Sequence, residues 1–134
     1  MSMTAIHQSL ADCQTIAVVG LSPKPHRDSF RVAKYMQDQG FRIVPINPNA
    51  SEVLGETSYA SLTEAAQHER IDMVNCFRNA EDIPPIAAEA IAIGAKSLWL
   101  QLGVSHEAAA QEATDAGLVV VQNRCLMVEH RQLR

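Results

Sequence analysis

The sequence predicts a doubly wound α/β domain on a mainly parallel sheet, on three observations. Short apolar, β-branched runs alternate with helical patterns from end to end, the order that builds βαβ units. The first run, Thr15-Ile16-Ala17-Val18-Val19-Gly20, stops at a glycine and opens through a loop into a helix. Aromatic residues are only 4% of the 134 residues while 47% are hydrophobic, so Ala, Val, Ile and Leu fill the core, as they do between helices and a parallel sheet. A chain of this length buries a full core without disulfides or metal. Residues 1–134 read as a single domain, with its core at about 15–123 and a tail at 124–134.

Each element has a local reason. Thr4 caps a leading helix that runs to about residue 12. The first strand is 15–20, and a loop holding Pro23 and Pro25 follows over 21–28. In the next helix, 29–39, Phe30, Ala33 and Met36 share one face, and Gly40 is the stop. Pro45 has no N–H for a ladder, so the second strand, 42–46, lies near a sheet edge or loses one bond. Asn47-Pro48-Asn49 then turns the chain. Residues 55–59 add a short edge strand, and Ser61 with Glu64 matches a capping box for a helix to about 67. A strand over 71–77 leads to a helix whose first turn holds Pro84 and Pro85 and which ends at Gly94. A strand over 97–100 precedes a helix over 106–116, capped by Ser105 and closed by Gly117. A last strand, 118–121, is followed by the tail, which ends in a helical turn.

The result is a Rossmann-like sheet with helices on both faces. Ligands of such sheets bind beyond the carboxyl ends of the strands, where the strand order reverses. That geometry singles out loops beginning at Gly20, Asn47, Phe77 and Gln101, with a fifth at Asn123.

The loop from Gly20 to Ser29 is the most informative. It ends at a helix N-terminus, where unpaired N–H groups and a partial positive charge favour phosphate. Gly20 lets the backbone approach a ligand, Ser22 and Ser29 offer hydroxyls, and Lys24 and Arg27 offer charge. Taken alone, the same residues read equally as a proline-stiffened turn with exposed basic side chains. The loop matches neither GxGxxG nor GxxxxGK[ST]. Asn47 stands at the end of the second strand, where NAD-binding domains carry Asp or Glu for the ribose, which weighs against NAD.

Two stretches, Ile16 to Ser29 and Val44-Pro45-Ile46-Asn47-Pro48, resemble the small stand-alone CoA-binding domain proteins. Trp99-Leu100-Gln101-Leu102-Gly103 and Asn123-Arg124-Cys125-Leu126-Met127-Val128-Glu129-His130 extend the resemblance to nearly the whole chain. The CoA-binding part of the succinyl-CoA ligase α subunit is a more distant relative. The resemblance implies a domain that binds coenzyme A, or an acyl-CoA, without an established reaction. It implies that Gly20, Leu21, Ser22, Pro23, Lys24, Arg27, Asp28 and Ser29 hold the phosphates and that Asn47 lies beside the adenosine half. Phe77 and Arg78 would touch the cofactor, and Leu100, Gln101 and Leu102 would line the pantetheine side. Arg78 reads equally as a solvated residue in a surface ion pair. The ligase's second domain, with its phosphorylated histidine, has no counterpart here.

The remaining residues narrow the function. The formal net charge is −4, and no basic stripe suggests nucleic acid. No run approaches a membrane span, and the start has no secretory pattern, so a cytoplasmic location is expected. The five histidines lack metal-ligand spacing, and no metal is expected. Cys13, Cys76 and Cys125 read as free thiols, with Cys125 packing the tail or, less simply, facing the ligand thiol. No paired carboxylates or other catalytic constellation is visible. The expectation is therefore a non-catalytic CoA-binding sensor, carrier or accessory protein. The alternative is a nicotinamide-dependent reductase or an acyl-CoA ligase fragment that needs a partner. A homodimer is left open, and no protein partner is identified.

Overall fold

The computed structural model describes residues 3–133; Met1, Ser2 and Arg134, the ends of the leading segment and the tail, lie outside them. The order is α1 (Met3–Asp12), β1 (Thr15–Val19), α2 (Asp28–Asp38), β2 (Arg42–Ile46), β3 (Glu52–Val53), β4 (Glu56–Thr57) and α3 (Leu62–Ala65). It continues with β5 (Met73–Cys76), α4 (Ile83–Ala92), β6 (Ser97–Leu100), α5 (Glu107–Asp115), β7 (Val119–Val121) and α6 (Leu126–Gln132). Five strands form a parallel sheet in the order β2-β1-β5-β6-β7. The chain thus moves outward from β1 to β2, then returns past β1 to β5. The strand order reverses between β1 and β5.

Strand alternation divides the core into two layers. Ala17, Val19, Val74 and Leu98 face one side, where they meet Leu62 of α3, Ile83 and Ala87 of α4 and Ala113 of α5. Ile16, Val18, Met73 and Trp99 face the other, against Ile6 of α1, Val32 and Met36 of α2 and Leu126 of α6. The fully buried Trp99 satisfies its indole N–H on the Arg124 carbonyl at 2.8 Å.

β2 is an edge strand, as Pro45 requires. The Pro45 carbonyl points outward to the Tyr59 N–H at 3.0 Å, so the ring nitrogen replaces no bond to β1. Four sequence expectations need correction. Thr4 lies inside α1 rather than capping it. Residues 55–59 do not form one edge strand: β4 pairs antiparallel with β3, and only Tyr59 bridges to Ile46. The hairpin turn is Leu54-Gly55, both at positive φ, a conformation that a leucine does not advertise. The cap of α5 is His106, whose Nδ1 accepts the Ala109 N–H at 3.1 Å, and not Ser105. Gln122 Oε1 holds the His106 N–H at 2.9 Å and fixes the backbone at that residue. The Ser61 cap holds, its hydroxyl accepting the Glu64 N–H at 3.1 Å, but α3 is a single turn.

At the amino ends of the strands, Asp72 joins β1 to the sheet. Its carboxylate accepts the Gln14 and Thr15 N–H groups at 2.9 and 3.0 Å and faces Lys96 and Arg70 at 3.7 and 3.9 Å. Burial pushes its pKa up, but the two N–H groups and the two cations outweigh burial and hold it below the ordinary carboxylate value. The ionised form therefore stabilises the fold above the unfolded carboxyl's pKa of about 4, and that contribution is lost as pH falls through the lower folded value. Asp72→Asn should lose about 1–3 kcal/mol at pH 7. Urea unfolding should show the difference from the parent shrinking toward pH 3.

At the opposite end, Gly20 has φ +85°, and a Cβ there would lie 2.5 Å from the Phe77 carbonyl oxygen. Gly40 also has positive φ, but nothing lies within 4 Å of its Cβ position. Gly40→Ala should cost only the backbone strain of about 1 kcal/mol, whereas Gly20→Ala adds a backbone clash and should cost at least ~2 kcal/mol. Calorimetry should find the larger drop in Tm for Gly20→Ala.

Candidate functional site

The loop after β1 is held by its own polar groups. The Gly20 N–H donates to the Ile46 carbonyl at 3.0 Å, continuing the β1–β2 ladder past the strand end. Leu21 is fully buried, and its carbonyl accepts from Asn47 Nδ2 at 2.9 Å. The buried Ser29 hydroxyl accepts the Ser22 N–H at 3.0 Å, and the Ser22 hydroxyl accepts the Lys24 N–H at 3.1 Å. Arg31 donates to the His26 carbonyl at 3.1 Å. The loop is fastened at both ends and across its middle, more than a plain solvated turn would need.

Arg27 is the N-cap of α2, and its side chain makes no capping hydrogen bond. The first-turn N–H groups have no intrahelical acceptor. They border a cavity of about 480 Å³ lined by Gly20, Ser22, Lys24, Arg27, Asp28, Ser29 and Phe77, joined by His26. A second cavity, of about 310 Å³, shares Gly20 and extends past Asn47 and Pro48 to Ser61, Arg78 and Asp82. A third, of about 430 Å³, shares Asp28 and Phe77 with the first and Arg78 with the second. It runs past Gln101 and Leu102 to Cys125, Met127 and Val128. The shared walls make the three one groove across the switch point, from the end of β2 to the start of α6.

Eleven of the fourteen residues singled out from the sequence line this groove: Gly20, Ser22, Lys24, Arg27, Asp28, Ser29, Asn47, Phe77, Arg78, Gln101 and Leu102. Leu21 and Leu100 are fully buried, on opposite faces of the sheet, so their side chains pack the core instead. Pro23 is exposed but off the walls. The sequence reading missed the α2 residues Arg31 and Val32, and Met127 and Val128 at the start of α6. The last two lie within the Asn123–His130 run that carries the resemblance, which was the signal for them.

Charge in the groove is unevenly compensated. Arg31 pairs with Asp28, and Arg78 with Asp82 at 3.4 Å. Lys24 and Arg27 have no ion-pair partner among the described residues. The half-exposed Arg78 pair is worth only ~0–1 kcal/mol, so an incoming anion can displace Asp82. The Asn47 side chain is occupied at both ends, donating to Leu21 and accepting the Asn49 N–H at 2.8 Å. It braces the loop, and it offers no carboxylate to a ribose.

The order of strands and the position of the groove define a Rossmann-type domain with its binding face at the carboxyl ends of β1 and β5. The chain belongs to the CoA binding domain family, which it matches over residues 14–131. It is 40% identical over 129 residues to the uncharacterized protein YneT of Bacillus subtilis (strain 168), covering 96% of this chain and 94% of that one. Among solved structures, a hypothetical protein from Pyrococcus horikoshii OT3 superposes with a TM-score of 0.92 at 36% identity, covering 99% of this chain and 92% of the other. A Thermus thermophilus protein described as cell-free ID.343 gives 0.91 at 34% identity, covering all of both chains. No helix among the described residues is long and apolar enough to cross a membrane.

The three thiols differ in access. Burial pushes Cys76 up to about 12; burial, reinforced by Asp72, does the same to Cys13. Cys125 is half-buried on the groove wall. A maleimide at pH 7.5 should label one thiol of the native protein rapidly, with Cys13 and Cys76 protected until unfolding. Peptide mapping should place the label on Cys125.

Proposed function

We propose that the protein binds coenzyme A or an acyl-CoA along this groove and performs no chemistry of its own, serving as a sensor, carrier or accessory protein. The observation that carries the reading is the N-terminus of α2, which its N-cap side chain leaves open, beside two cations, Lys24 and Arg27, that are unpaired among the described residues. A pyrophosphate there receives first-turn N–H groups, the Ser22 hydroxyl and two positive charges. Arg78, on the wall shared by the outer two cavities, is placed for a further phosphate. Membership of the CoA binding domain family supports the same ligand.

On this reading the adenosine half lies toward Asn47 and Pro48, and the pantetheine arm passes Phe77 toward Gln101 and Leu102. The missing carboxylate at the end of β2 suits a ribose carrying a 3′-phosphate better than the free ribose hydroxyls of NAD.

Titration calorimetry with CoA, NAD and ATP tests this. CoA should bind and raise Tm by several degrees at about 100 times Kd. NAD and ATP should bind more weakly. The double variant Lys24→Ala/Arg27→Ala should weaken CoA at least tenfold, since charge-assisted bonds contribute about 1.5–3 kcal/mol each. Absence of CoA binding by the parent protein would refute the reading.

A further inference from the structure

Of the three cavities, only the third is lined by exposed large hydrophobic residues. Leu102 and Val128, on its walls, are 68% and 37% exposed. They are two of the four exposed large hydrophobic residues among those described, and the other two, Met3 and Leu133, lie near the chain ends. Val104 and Met127 continue the apolar lining. Exposed apolar side chains gathered at one end of the groove mark a place where an apolar group is received.

Asp28, Arg31, Arg78 and Asn79 also line the cavity, and all four are exposed; Gln101 is its one buried polar residue. Gln101 is 6% exposed. Its amide oxygen accepts from Asn75 Nδ2 at 3.2 Å and from the Leu126 N–H at 3.3 Å, which fixes the orientation of the side chain. The only sealed-off side-chain polar atom without a partner among the described residues is Asn75 Oδ1. The Gln101 amide nitrogen, which makes no hydrogen bond to the described residues, therefore opens onto the cavity that Gln101 lines. It is a fixed donor on the cavity wall, next in the chain to Leu102, suited to a carbonyl oxygen.

Resting on the CoA reading above, we propose that this cavity is an acyl chamber and that the preferred ligand is an acyl-CoA thioester rather than free CoA. The Gln101 amide donates to the thioester carbonyl, and the acyl chain lies between Leu102, Val104, Met127 and Val128. Free CoA ends in a thiol, a weak hydrogen-bond partner that leaves both the donor and the apolar walls unused.

The test is titration calorimetry of the whole protein with CoA and hexanoyl-CoA. Each buried methylene is worth about fourfold in affinity, ~0.8 kcal/mol, so hexanoyl-CoA should bind at least tenfold more tightly than CoA. Val128→Asp places a charge against the chain and should bring the ratio of the two affinities close to one. Leu102→Lys, at a site more exposed still, repeats the test should Val128→Asp fail to fold. Equal affinities in the parent protein would overturn the acyl chamber and leave the CoA reading standing. A preference that survives these substitutions would overturn it too, by placing the chain elsewhere. Failure of both ligands to bind would overturn both readings together.

Discussion

The close approach of Gly20 to the Phe77 carbonyl is the contact on which the architecture of the site depends. β1 and β5 are neighbours, but the chain leaves them toward opposite edges of the sheet, and a crevice opens between their carboxyl ends. A side chain at residue 20 would fill that crevice with a Cβ pressed on backbone. With glycine there, the chain bends directly over the end of β5. Leu21 drops into the core, Asn47 catches the Leu21 carbonyl, and α2 starts beside Phe77. The open start of α2 and the groove beside it sit directly at that bend.

Most of the fold was legible because each layer repeats a simple pattern. The strands are short aliphatic runs buried on both faces, and α2, α4 and α5 each finish within two residues of a glycine. What escaped depends on contacts between distant residues or on an unusual backbone. The β3–β4 hairpin turns on a leucine in a left-handed conformation, which no turn dipeptide announces. The α5 cap falls on His106 because Gln122, sixteen residues later, holds the backbone there. A serine one residue earlier is the better local candidate, and tertiary structure overrules it.

The candidate site divides in the same way. Its central part is a single continuous segment, so the reading from Gly20 to Ser29 located the residues that the fold brings together. Leu21 and Leu100 were counted with their neighbours although strand alternation and the tight bend send their side chains into the core. The α6 side of the groove was harder. Gln101 is positioned by Asn75 and by the Leu126 backbone, a polar contact across three elements that no local motif encodes. His130 of α6 meets Tyr35 of α2 at 2.8 Å, so the tail closes the groove by packing on the helix that opens it.

Pro45 has a consequence for the protein as a solute. An edge strand with regularly spaced free N–H and C=O groups is a template on which other chains can add. Here the carboxyl half of β2 lacks the Pro45 donor, and the neighbouring outward groups are taken by Tyr59, whose N–H and carbonyl bond Pro45 and Asn47. That margin cannot recruit a further strand, so lateral growth of the sheet toward fibrils is blocked there. The proline that places β2 near an edge also removes one of the donors an added strand would need there.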